Sequence, residues 1–254
     1  MPANDQQVRP GSQQRRRVVA CLGASATEAR GSYDWIRDLE RRPNHHWYRF
    51  RRFAAGGDLA YNGLLRLPKV IRCRPDYAIV LLGENDVLAR VFNAHYRIVR
   101  IAKRLPCPPS VEWFRENMLT IVRRLRKETQ ARIALCSLIP IGEAPNSENP
   151  LQAQANRLIE EYSSVLKEIA SGEEVSYLPL YEQMQELILA SPGRSFTSFN
   201  FLSFQRDAIR QYVLHKSHDE IAQLNGWRFH RDGIHLNTGS GRLLADLVQR
   251  FIGA

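Results

Sequence analysis

What this chain lacks narrows it first. No apolar run approaches the roughly 20 residues that a membrane-spanning helix needs. The first such run, Val18 to Leu22, is far too short, so no transmembrane segment is expected. The opening stretch from Met1 to Arg17 is polar, and no apolar signal region follows it. Cysteine is scarce: Cys21, Cys73, Cys107 and Cys136 show no metal-ligand spacing, and Cys21 and Cys136 sit inside apolar runs. Reduced, structural thiols and a cytoplasmic location are the expectation. Acidic residues are in deficit, 26 against 36 basic, giving a formal charge of +10. Basic clusters at Arg15 to Arg17, Arg49 to Arg52 and Arg123 to Lys127 could attract nucleic acid, anionic lipid or acidic substrates. Zinc-finger spacing, an RNP-like aromatic strand and a Gly-rich RNA-binding loop are all missing, so no nucleic-acid partner is expected.

What is present is enough apolar residue, 44% of 254, to bury a full core. A flexible polar and basic tail is expected over 1–16 and one domain over 17–254. Short apolar runs bounded by turns predict buried strands at Val18 to Leu22, Tyr77 to Leu82, Ile133 to Ile139 and Val175 to Leu180, with a weaker one at Trp47 to Phe53. Helical spacing appears over Tyr33 to Arg41, Leu59 to Cys73, Val111 to Thr129, Leu151 to Ala170 and Gly239 to Phe251. Strand and helix alternate, which predicts right-handed crossovers and an α/β fold: a three-layer α/β/α sandwich around a parallel sheet.

In such sheets ligands bind beyond the carboxyl ends of the strands. Those positions hold Gly23-Ala24-Ser25 after the first strand, Gly56-Gly57-Asp58 after the second, and Gly83-Glu84-Asn85-Asp86 after the third. A serine at a strand-to-helix turn presents its hydroxyl at the sheet edge, although a serine there also caps helices well. The α/β-hydrolase elbow needs glycine two residues after its serine; Thr27 stands there instead, which disfavours that fold.

The segment Gly23-Ala24-Ser25-Ala26-Thr27-Glu28 resembles the first motif of the SGNH/GDSL hydrolases, normally Gly-Asp-Ser with Thr and Glu close behind. Gly57-Asp58 resembles that family's second-motif glycine, Gly83-Glu84-Asn85-Asp86 its Gly-x-Asn-Asp motif, and Asp232-Gly233-Ile234-His235-Leu236 its Asp-x-x-His motif. Each is short, but four in family order after the right elements make a joint signal. The resemblance implies a flavodoxin-like SGNH fold, Ser25 as nucleophile, His235 as general base and Asp232 as the group orienting it. It also implies an oxyanion hole from Ser25 N–H, Gly57 N–H and the Asn85 side-chain amide, with no cofactor and no metal. Two departures stand out: Ala24 replaces the family's aspartate, and the asparagine upstream of Gly57 is absent.

The function implied is cleavage of a small-molecule ester or acyl group through an acyl-serine intermediate. An acyltransferase would share the same residues, and a catalytically idle binding module finds support only in Ala24. His45, His46, His95, His215, His218 and His230 carry no motif, with His215 and His218 expected on one helix. An aromatic-rich insertion over 191–231, with Phe196, Phe199, Phe201, Phe204, Tyr212, Trp227 and Phe229, reads as an added helix on the core or a cover over the acyl pocket. The segment Leu88 to Ser110 could form another wall.

Overall fold

The computed structural model describes residues 15–43, 45–145, 147–197 and 201–254, with backbone alone for 201–204. Residues 1–14 of the expected tail, and Phe199, lie outside the described residues. Five strands form the sheet: β1 (Arg17–Gly23), β2 (Tyr48–Ala54), β3 (Tyr77–Leu81), β4 (Arg132–Cys136) and β5 (Ser176–Leu178). They pair in parallel in the order β2-β1-β3-β4-β5. The helices are α1 (Ser25–Glu28), α2 (Trp35–Arg41), α3 (Ala60–Arg72), α4 (Glu84–Val91), α5 (Asn93–Ala102), α6 (Val111–Glu128), α7 (Pro150–Gly172), α8 (Leu180–Ala190), α9 (Phe201–Tyr212), α10 (His218–Asn225) and α11 (Thr238–Gly253).

Side chains alternate across a strand, so the central strands split their residues between two cores. Ala20, Leu22, Ala78, Val80, Ile133 and Leu135 pack with α3, α6 and α7. Val19, Cys21, Ile79, Leu81, Ala134 and Cys136 pack with α2, α8 and α11. Every residue of β3 is buried, the pattern of a parallel strand covered on both faces. Burying one Leu, Ile or Phe side chain contributes roughly 1.5–3 kcal/mol, and Ile121, Leu125 and Phe114 of α6 are fully buried in this way. Cys21 and Cys136 are free thiols whose burial pushes their pKa up, so they behave as small hydrophobes. No helix among the described residues is long and apolar enough to cross a membrane.

The three-layer expectation holds, and the differences lie at element ends. The fourth strand stops at Cys136: Ser137 N still donates to Leu178 O at 3.0 Å, but beyond it the backbone turns to side chains, Leu138 N donating to Ser163 Oγ at 3.1 Å and Ile139 N to Glu84 Oε1 at 3.3 Å. β5 ends at Leu178 where Pro179 precedes α8. His215 and His218 do not share a helix. The chain adopts a left-handed conformation at His215 (φ 51°), and α10 restarts at His218 behind a Ser217–Glu220 capping box.

The strand order sets the site. Connections from β1 lead toward β2, while those from β3 lead the other way to β4 and β5, which leaves a crevice beyond the ends of β1 and β3.

Candidate active site

β1 delivers its last residue, Gly23, to that crevice, and the chain turns at Ala24 into α1. The backbone N–H groups of Thr27 and Glu28 donate to Ala24 O at 3.1 and 2.8 Å, so Ala24 holds the N-cap place. Ser25 is therefore not the cap, and its hydroxyl is directed elsewhere: Ser25 Oγ lies 3.0 Å from His235 Nε2. Across the ring, His235 Nδ1 lies 2.8 Å from Asp232 Oδ2. The other oxygen, Oδ1, accepts from the backbone N–H of Ile234 at 3.1 Å and of His235 at 2.9 Å. One carboxylate thus fixes both the turn and the imidazole on it. A ring donating from Nδ1 leaves the Nε2 lone pair facing the serine hydroxyl. Burial alone would push the Asp232 carboxyl up, but the His235 ring, the His235 backbone N–H and the charge of Arg231 hold it below its ordinary range.

The second and third predicted turns meet beside Ser25. Gly56 N–H donates to Glu28 Oε2 at 2.7 Å and is committed. Gly57 N–H has no protein acceptor among the described residues, and Gly57 sits at φ +77°, a conformation that suits glycine. Asn85 Nδ2 donates to Asp58 O at 3.0 Å, one of the two N–H groups on that nitrogen. Asp58 is buried and accepts from Lys103 Nζ at 2.8 Å and from Arg66, which pins the turn between two cations. Gly83 (φ +136°) starts α4 where a Cβ would press on Phe114 and Leu138, both at 2.9 Å. Asp86 Oδ2 accepts from Ala60 N at 3.0 Å, joining the starts of α4 and α3. Burial pushes the Asp86 carboxyl up to about 8.

Ser25, Gly57, Asn85 and His235 open into one cleft of about 430 Å³. Its walls are largely apolar, with Leu88, Ile98, Val99, Ala102, Ile139 and Ile234 prominent. The segment after Asn85 does supply a wall, through α4 and α5. None of the described residues of 191–231 lines the cleft; Phe196 and Trp227 join the core instead, with Phe196 stacked edge-on against Phe92 at 5.8 Å. Three titratable groups line it that carried no sequence signal of their own, Glu84, His95 and Lys103. Burial pushes Glu84 up to about 7 and His95 down to about 4. Among the described residues no three His, Cys, Asp or Glu side chains gather as a metal site requires.

Sequence reasoning also missed the anchor of the Asp232–His235 turn. Glu143, fully buried, accepts from the backbone N–H of Phe229 and His230 through Oε1, both at 2.7 Å, and of Arg228 through Oε2 at 2.8 Å. His230 adds its ring: Nδ1 lies 3.0 Å from Glu143 Oε1 and Nε2 2.8 Å from Pro140 O. Gly142 N donates to Gly233 O at 2.8 Å, so the loop after β4 holds the Asp232–His235 turn at several points. No local pattern marks this, because Glu143 and His230 lie 87 residues apart.

A family model described as the GDSL-like lipase/acylhydrolase family matches residues 20–201, well over half the chain. The chain belongs to that family. As a GDSL-like acylhydrolase it is a carboxylic ester hydrolase. The matched stretch carries Ser25, Gly57 and Asn85 and stops before Asp232 and His235. Similar solved structures include the acetyl xylan esterase AlAXEase, at 20% identity and TM-score 0.60, covering 92% of this chain and 99% of that one. The acetylxylan esterase Axe2 from Geobacillus stearothermophilus matches at 15% identity and TM-score 0.62, covering 94% of each chain. A GDSL-like lipase from Bacteroides thetaiotaomicron matches at 15% identity and TM-score 0.58, covering 94% of this chain and 88% of that one. At these identities the structures speak for the fold. No curated protein matches the chain in sequence.

Proposed function

We propose that this GDSL-like hydrolase cleaves esters through an acyl-serine intermediate on Ser25. The observation that carries the proposal is the unbroken line Ser25 Oγ, His235 Nε2, His235 Nδ1, Asp232 Oδ2, with links of 3.0 and 2.8 Å. Ser25 Oγ attacks the ester carbonyl carbon and gives its proton to His235 Nε2, while Asp232 stabilises the imidazolium that forms. The carbonyl oxygen becomes an oxyanion received by the N–H groups of Ser25 and Gly57 and by the Asn85 amide. Collapse breaks the bond to the alcohol, which takes the proton from Nε2. Water then attacks the acyl-serine, gives a proton to His235, and releases the carboxylic acid and Ser25.

The free N–H of Gly57, the second N–H of Asn85 and the commitment of Gly56 to Glu28 all support that oxyanion assignment. The apolar walls favour an acyl group longer than the acetyl named for the xylan esterases. The unpaired thiols support a reducing, cytoplasmic setting. Elements from Arg17 to Gly253 build one sheet and its two cores, which supports residues 17–254 as a single domain. Turnover of nitrophenyl esters from acetate to octanoate tests the proposal. kcat/KM should rise with chain length, and Ser25→Ala should fall to the uncatalysed background on every ester. A Ser25→Ala protein with retained turnover overturns it.

A further inference from the structure

The cleft opens beside a helix whose outer surface differs from an ordinary solvated face. α5 buries only His95 and Val99. At about 100° per residue, Ala94, Ile98, Ile101 and Ala102 fall on one apolar stripe with Arg97 and Arg100 along its flank, and Arg104 follows just past the helix end, where the chain turns left-handed (φ 51°). All seven are exposed, Ile98 by 50% and Ile101 by 80%. From Val87 to Val111 the chain carries Arg90, Arg97, Arg100, Lys103 and Arg104 and no acidic residue. Lys103 is held by Asp58, whereas Arg97, Arg100 and Arg104 make no ion pair among the described residues. Ile98 and Ala102 belong both to the exposed stripe and to the lining of the cleft, so apolar surface runs from the outside of α5 to Ser25.

We infer that α5 docks the protein on an anionic lipid surface, with Ile98 and Ile101 entering the acyl boundary and the three arginines meeting headgroup phosphates. An interfacial helix needs an apolar face flanked by cations, and this one has both at the mouth of the cleft. Acyl esters resident in that surface would then enter the cleft along Ile98 and Ala102. Nucleic acid would use the arginines but gain nothing from Ile101. A second copy packed on this face would bring like charges together with no acidic residue in the segment to pair them. The delivery step rests on the ester-hydrolase proposal; the docking step does not.

The test is co-sedimentation of the full chain with vesicles of pure phosphatidylcholine or of equimolar phosphatidylcholine and phosphatidylglycerol. Alongside it, turnover of a soluble nitrophenyl butyrate is measured without vesicles. Wild type should bind the anionic vesicles, release as salt rises, and bind phosphatidylcholine weakly. Replacing Arg97, Arg100 and Arg104 together by Glu should weaken binding on the order of a hundredfold or more. Ile101→Ser should weaken it about tenfold. Neither variant touches the cleft lining, so both should keep wild-type turnover of the soluble ester. Equal binding to both vesicles, no binding to either, or wild-type binding by the triple-Glu protein overturns the docking inference. A dimer in solution that Ile101→Ser dissolves would also overturn it, assigning the face to a second copy. Absence of soluble-ester turnover in the wild type, with docking intact, would count against the hydrolase proposal alone.

Discussion

Replacing Glu143 by glutamine changes a single oxygen to an amide nitrogen, yet Glu143 accepts four N–H groups and a glutamine cannot. With its carbonyl kept against Phe229 N, His230 N and His230 Nδ1, its NH₂ would face the N–H of Arg228, donor against donor. One hydrogen bond is lost, one N–H is left unmet, and the charge beside His230 disappears. Removing one partner of a buried charged contact costs about 3–5 kcal/mol. For a chain of this size that lowers the melting midpoint by roughly 6–20 °C. Burial alone would raise the Glu143 carboxyl, but the bond from His230, its charge and the backbone donors hold it below its ordinary value. A carboxylate depressed on folding adds stability above its unfolded pKa, near ~4.3, and that stability is lost as pH falls through the lower folded value. The gap between wild type and Glu143→Gln should therefore be full at neutral pH and close on acidification below about pH 4. Thermal melts at stepped pH, with kcat well below the midpoint, read both effects. kcat should fall too, because the anchored segment Arg228–His230 leads directly into Asp232 and His235. A Glu143→Gln protein melting within about 1 °C of wild type at neutral pH would refute the anchor argument.

Three further outcomes follow from the site. Asn85→Ala should lower kcat by ~10²-fold or more with the fold retained, as loss of one oxyanion donor does; unchanged kcat would remove Asn85 from the site. His235→Ala should leave only residual activity, while Asp232→Asn keeps the shape but favours the wrong ring tautomer and should cost ~10⁴-fold in kcat; a His235→Ala enzyme with most of its turnover would contradict the proton path. Burial raises the Glu84 carboxyl from 4.5 to about 7, so the fold prefers it neutral and loses stability as pH climbs between those values. Glu84→Gln, which can still accept from Ile139 N, should match wild type near pH 4 and exceed it by about 3 kcal/mol at pH 8; denaturant curves with the same pH dependence would refute this.

The parallel sheet was legible because buried strands such as Tyr77–Leu81 are continuous apolar runs between turns, and so were long amphipathic helices such as α6. The turns at Ser25, Gly57, Asn85 and Asp232–His235 were legible because each is a short motif at a strand end or close before a helix. Gly57 rather than Gly56 could be chosen only weakly from Asp58; its physical reason, the bond from Gly56 to Glu28, joins residues far apart in the chain. The same holds for Glu143 with His230. Neither residue has a neighbour in sequence that signals the other, and a lone histidine in a loop reads as solvated. α5 escaped notice for a different cause: its exposed isoleucines break the simple apolar-inside pattern that marks a helix.

The central claim is that Ser25 carries the covalent chemistry, and fluorophosphonate labelling read by intact mass and peptide mapping tests it most directly. The wild-type protein should gain one phosphonyl adduct, mapped to Ser25, and lose esterase activity in proportion. Ser25→Ala should stay unlabelled, and His235→Ala should label far more slowly because the hydroxyl has lost its base. An adduct on another serine, or full labelling of Ser25→Ala, would contradict the account.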